Sequence, residues 1–332
     1  MTITTVRRTG LVLAATVALT ALTTLTVISA CTSSAVLGPS GSAGPSGPSG
    51  DRGADTDTDT DTDTDTGAGQ RDEASRLRSV TALRSAERST AGAGSARVES
   101  TTAMGSLMSM TADGTLAWGD GLVGTLTITY TDGAVADAMR RLGSTSMEAR
   151  YLPDAYYARA GDTFAARTGG GPWIRYGHDD LEDVAGGGAA GLGDQIRGFT
   201  PQQCVKLLLA SGDVRRVGEE RVRGTPATRY SGTVEPARLK TRNPGPGTGR
   251  SAELADLTQQ LIRAGVTTQT VDVWVDDRDL LVKKVERAKT ATGRLTQTAY
   301  YADYGVKVTT EAPPAADTQD ATDVLDGPRA AP

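Results

Sequence analysis

The sequence predicts an α+β protein built on an antiparallel sheet, and three observations carry that reading. In "LTITYTDG", Leu126, Ile128 and Tyr130 share one face, while Thr125, Thr127, Thr129 and Thr131 share the other, ahead of an Asp132-Gly133 turn. A period of two with one polar face marks an antiparallel sheet covered on one side. Strand patterns also come in runs instead of alternating with helices, which argues against a parallel α/β sheet. Helical patterns are few, and the two clearest stop at Gly212 and Gly265.

In chain order, Leu77, Val80 and Leu83 stand at threefold spacing among charges, a helical pattern over 72–90. The strand around Leu126 follows. Residues 147–151, 156–159 and 164–167 read as further strands of a meander, separated by Pro153-Asp154 and Gly161-Asp162 turns. Thr200 and Pro201 make a cap and first turn for a helix whose Cys204, Leu207 and Leu208 share a face. Two strands flank Gly224-Thr225-Pro226. A second helix is expected over 251–264, with Leu254, Leu257 and Leu261 on one side. Val271, Val273 and Val275 share a strand face that continues through a turn into 280–288, and a closing strand runs over 294–304.

The ends of the chain have a different character. Arg7 and Arg8 precede a charge-free stretch from Leu11 to Ala30, the charged start and apolar middle of a secretory signal. Twenty such residues could also span roughly 30 Å of membrane. Six threonines and serines dilute the stretch, however, and no basic stop follows it. From Thr32 to about Gln70 there is almost no large apolar residue, only Gly/Ser/Pro repeats and six Asp-Thr pairs from Asp55 to Thr66. Such a segment buries too little to offset its ordering entropy. As a coil of about forty residues it reaches roughly 35 Å. The expected organisation is a signal over 1–30, a disordered tether over 31–71, a domain over 72–312 and a disordered tail over 313–332.

At the end of the signal, Ile28-Ser29-Ala30-Cys31 resembles the lipobox of bacterial lipoproteins. The resemblance implies that Cys31 becomes the first mature residue and carries diacylglycerol, with acyl chains such as palmitate and an N-acyl group as a further modification. Two acyl chains suffice for stable anchoring. The implied address is the outer leaflet of the cytoplasmic membrane, on its extracytoplasmic face.

Composition narrows the partners. Without Arg7 and Arg8, 33 of the 35 basic residues face 40 acidic ones, a net charge of −7. Phosphate backbones need clustered Lys and Arg, so no nucleic-acid partner is expected. Only two cysteines occur, and acylation of Cys31 leaves Cys204 without an intramolecular disulfide partner. Arginine outnumbers lysine, and Ala, Gly and Thr are abundant, a bias associated with high-GC actinobacteria.

Lipobox, polar spacer, leading helix, long meander with inserted helices and the closing "YYADYGVKV" together resemble the actinobacterial lipoproteins of the LppX/LprG type. Their fold is similar to that of the periplasmic carrier LolA. The resemblance covers about residues 72–312 and implies a curved antiparallel half-barrel, helices across its concave face and an apolar space for acyl chains. No ligand residues carry over position by position.

Motifs that could carry chemistry are weak. Gly186–Gly191 matches G-x-G-x-x-G but lacks the strand before it that a dinucleotide site needs, and reads better as a loop. His178 is the sole histidine, and Asp179 with Glu182 beside it has capping-box spacing. Cys204 has no evident base and reads as a packing thiol. No G-x-S-x-G occurs. Asp61, Asp63, Asp65 and Asp72 mimic a calcium loop, but Thr66 occupies the position that requires glycine.

No enzyme, resident cofactor or metal site is therefore expected. The apolar faces of Leu126, Ile128, Tyr130, Val271, Val273 and Val275 are what a lipid cavity would use, and equally what any covered sheet requires. The first expectation is a lipoprotein that binds or carries a lipid, glycolipid or other amphiphile. The alternative is an accessory or sensor lipoprotein that binds another envelope protein and has a filled core.

Overall fold

A computed structural model describes residues 65–119, 121–177, 201–242, 249–290 and 293–326. The chain divides into two units, residues 28–74 and the remainder, and the sheet lies wholly in the second. Helix α1 (Asp65–Ala93) leads into it, longer at both ends than its apolar pattern suggests. It buries Ser79, Leu83, Ala86, Glu87 and Thr90, a helical stripe of mostly small or polar residues, and leaves Leu77 59% exposed.

Six strands then form a meander. They are β1 (Ser95–Met104), β2 (Met108–Ala117), β3 (Val123–Asp132), β4 (Ser146–Tyr151), β5 (Ala155–Arg159) and β6 (Trp173–Gly177), with α2 (Gly133–Arg141) and α3 (Asp162–Thr168) inserted. A second meander holds α4 (Gln203–Ser211), β7 (Arg215–Val222), β8 (Thr225–Val234), α5 (Pro236–Arg242), α6 (Gly249–Arg263), β9 (Gln269–Val275), β10 (Leu281–Thr290) and β11 (Gly293–Ala302). The meanders join where β1 pairs with β11, Arg97 opposite Ala302. After a 3₁₀ turn (Ala315–Asp317) the chain adds β12 (Thr318–Asp320) and α7 (Ala321–Asp326).

The sheet order is β12-β6-β5-β4-β3-β2-β1-β11-β10-β9-β8-β7, antiparallel throughout except for the β12–β6 pair. Right-handed strand twist accumulates over twelve strands, and the sheet curves into an open half-barrel with β12 and β7 as its free ends. The inner face carries one continuous core. Leu126, Ile128, Met147, Ala149, Ile174, Val273 and Ala299 from the sheet meet Leu83, Met139, Leu208, Leu239 and Val324 from the helices. Helices are thus packed on the concave side, as the α+β half-barrel expectation requires. Gly232 lets α4 approach: a Cβ there would stand 1.7 Å from the Asp213 carbonyl oxygen and 2.6 Å from Leu208 Cδ1.

Two expectations are corrected. Residues 164–167 belong to helix α3, not to a strand; Phe164 is the residue buried in the core, and Gly169 in the left-handed region ends the helix. The β-preference of Thr and Phe is overridden by that one-residue anchor. Residues 313–326 are not a disordered tail. Gly305 N–H donates to the Ser95 carbonyl, Arg150 Nη1 to the Glu311 carbonyl, and Thr125 and Thr310 hydroxyls meet at 3.4 Å. Thr125 and Arg150 are on the outer face, so this strap crosses the back of the sheet before β12 pairs with the β6 edge. Ala321 and Val324 then join the inner core.

Candidate functional site

The inner face is where the residues singled out in the sequence come together. Leu126, Ile128 and Tyr130 lie on β3, Val271, Val273 and Val275 on β9, and all six are buried in the same cluster. They occupy different parts of the face, because β2, β1, β11 and β10 stand between the two strands.

Behind Tyr130, cross-strand pairing of Tyr151 with Tyr156 and of Tyr156 with Tyr176 builds a tyrosine ladder. Ring centroids are 5.3 and 5.6 Å apart. Burial pushes all four phenols well above their ordinary range, so they stay neutral. Tyr130 Oη contacts Met147 Sδ at 3.9 Å. The Tyr156 and Tyr176 hydroxyls, by contrast, are buried without a hydrogen-bond partner among the described residues. Each such group costs about 1–3 kcal/mol unless something satisfies it.

Toward β9 and β10 the face turns polar. Lys284 Nζ donates to Glu286 Oε2 at 2.9 Å, with each side chain only 12% exposed. Gln269 Nε2 donates to the other carboxylate oxygen at 3.2 Å. Burial alone would lower the Lys284 ammonium, but the Glu286 carboxylate, aided by Tyr301 and Cys204, lifts it above its usual value. Gln297 Nε2 donates to Thr102 Oγ1 at 3.4 Å, which extends the polar stripe across β11 to β1.

These charged residues face inward because of a bulge. Val275 pairs with Leu281 and Trp274 with Lys283, so Val282 is an extra residue that shifts the alternation of β10. Lys284 and Glu286 then stand opposite the inward Val273 and Val271. Sequence reading placed no polar site here. The available signal was "LLVKKVERA", where no single period of two keeps Leu281, Val282 and Val285 on one side.

Helix α6 overhangs this region incompletely. Leu254, Leu257 and Leu261 pack against the core but remain partly exposed, as does Leu295 beneath them. Ala264 and Val266 at the helix end meet Ala288.

Cys204, on α4, is buried with its thiol 3.2 Å from the Pro201 carbonyl oxygen. Burial pushes it up to about 12, against the pull of the Lys284 charge, so it remains a thiol at physiological pH. Cys31, His178, Asp179, Glu182 and Gly186–Gly191 lie outside the described residues, as do Asp61 and Asp63. Asp65 and Asp72 both fall in helix α1.

The outer face is closed by mutual pairing. A cleft of about 280 Å³ lies among Arg97, Glu99, Val222, Arg223 and Tyr300. Within it Arg223 donates to Glu99 at 2.8 Å and stacks 4.0 Å over Tyr300. The hydrogen bond from Arg223 holds Glu99 below the usual carboxylate range.

No family model matches the chain. In structure it is similar to the lipoprotein LppX of Mycobacterium tuberculosis, with a TM-score of 0.42 and 14% identity over 71% of this chain and 99% of that one. In sequence, a Streptomyces griseus protein known as an uncharacterized 31.2 kDa protein of the rplA-rplJ intergenic region is 51% identical over 252 residues. That match takes in 76% of this chain and 82% of the relative. A Streptomyces coelicolor protein is 58% identical over 247 residues, 74% of this chain and 76% of its own. At that identity and coverage the chain belongs to the family of this relative, which bears the name "Putative lipoprotein SCO4650".

Proposed function

We propose that the protein is a lipoprotein, tethered through Cys31 to the outer leaflet of the cytoplasmic membrane, that takes up the acyl portion of an amphiphile on the concave face of its half-barrel. The observation that carries this reading is the incomplete cover of the inner face by the described residues. Leu254, Leu257, Leu261 and Leu295 pack on the core side yet stay partly exposed, clustered at one end of the inner face. Removing acyl chains from water would drive uptake, at roughly 25 cal/mol per Å² of apolar surface. The lipoprotein name of the Streptomyces coelicolor relative supports the anchor. The role is binding and transfer, with no reaction assigned to any side chain.

The chain from residue 32 onward, secreted behind a signal that lacks the cysteine and purified without detergent, tests the carrier role. Native mass spectrometry should find it carrying co-purified acyl lipid, and it should take up lipid from vesicles. A consistently empty protein that extracts nothing from vesicles would sink the reading and favour an accessory protein with a filled core.

A further inference from the structure

Gln269 presents a buried acceptor with nothing to accept among the described residues. It is 6% exposed, and its Oε1 has no hydrogen-bond partner among them. The orientation of the amide is fixed, because Nε2 must face the Glu286 carboxylate, which only accepts. Glu286 is in turn committed to Lys284. The acceptor stands at the first residue of β9, opposite Ala288 on β10 and Val234 on β8, so it lies at one rim of the inner face. From there Val271, Val273 and Val275 lead along the strand into the apolar interior. Above the rim are Ala264 and Val266 and the partly exposed Leu261 and Leu295. A polar rim over an apolar depth matches the polarity of an amphiphile with its head at the rim.

We propose that Gln269, buttressed by the Glu286–Lys284 pair, is the subsite for the polar end of the ligand, and that it selects an acyl lipid bearing a free hydroxyl. The inference rests on the carrier reading and assigns the residue that would give it selectivity. A hydroxyl donates to Gln269 Oε1 and satisfies it, whereas an esterified or bare anionic head has no proton to donate. The anionic head gains little from Lys284, whose charge Glu286 already neutralises at 2.9 Å.

The experiment uses the full chain in phosphatidylcholine vesicles with two photoreactive probes, a 1,2-diacylglycerol and its 3-O-acetyl ester, each with a diazirine next to the glycerol. The free-hydroxyl probe should label the protein about tenfold more, on peptides that contain Gln269 and Glu286. Gln269→Met should erase the preference, bringing labelling by the free-hydroxyl probe down to that by the acetylated one. Equal labelling of the wild type by both probes, or a preference that survives Gln269→Met, overturns the subsite while leaving the carrier role intact. Labelling of neither probe above a bystander membrane protein overturns both. If the methionine variant fails to fold, the wild type decides alone: a hydroxyl preference mapped to other peptides overturns the assignment.

Discussion

Asp272 sits on the outer face of β9 with its carboxylate almost completely shielded, and three groups converge on it. Arg229 donates at 3.0 Å, Arg287 at 2.8 Å, and the buried Ser231 also hydrogen-bonds to it. Burial alone would raise its pKa, but Ser231, Arg229 and Arg287 together hold it below the usual aspartate value. Asp272→Asn should cost roughly 2–3 kcal/mol at pH 7, less than a fully enclosed pair because Arg287 is half exposed. The folded state binds fewer protons at this site than the unfolded chain, so its contribution is present above about pH 4 and lost as pH falls through the depressed value. Urea unfolding as a function of pH should therefore show a shallower acid decline in Asp272→Asn. Equal urea midpoints for variant and wild type at pH 7 would show that the cluster adds nothing. This network escaped sequence reading because Arg229, Asp272 and Arg287 come from three strands, and only register brings them together. Cys204 was legible as a packing thiol, because the helical spacing that puts it on one face with Leu207 and Leu208 is visible in the sequence.

Among the elements, legibility followed contrast between faces. The threonines opposite Leu126, Ile128 and Tyr130 marked β3 because outward residues there are polar. β5 and β6 carry aromatics on both faces, Tyr157 and Trp173 outward and Tyr156 and Tyr176 inward, and β6 went unread for that reason. The closing strap was missed because its attachment uses carbonyls and threonine hydroxyls, which leave no hydrophobic pattern. Its role can nevertheless be tested. β12 covers the β6 edge through pairs such as Thr318 with Trp173, and Ala321 and Val324 fill the core behind it. Truncation after Glu311 should cost roughly 2–4 kcal/mol from lost apolar burial and leave an unpaired edge that invites strand addition. The expected result is a lower thermal midpoint together with concentration-dependent association in analytical ultracentrifugation. An unchanged midpoint would mean that β12 and α7 are ornamental to the fold.

At the scale of the whole molecule, the proposed function depends on where the half-barrel is held. The proposed uptake of acyl chains requires a bilayer within reach, and the sequence places a polar segment between Cys31 and the folded unit. The proposed anchor is a single covalent point, so one atom would decide the address: without the Cys31 sulfur no thioether to diacylglycerol could form. Cys31→Ala in a producing actinobacterium should abolish incorporation of radiolabelled palmitate and move the protein from the membrane fraction to the medium, or leave it as a larger unprocessed precursor. The fold is expected to be unaffected, because the sheet and its core lie beyond residue 74. Palmitate label that persists in Cys31→Ala would refute the lipobox assignment, since Cys204 is buried with a thiol held near 12 and offers no alternative acceptor.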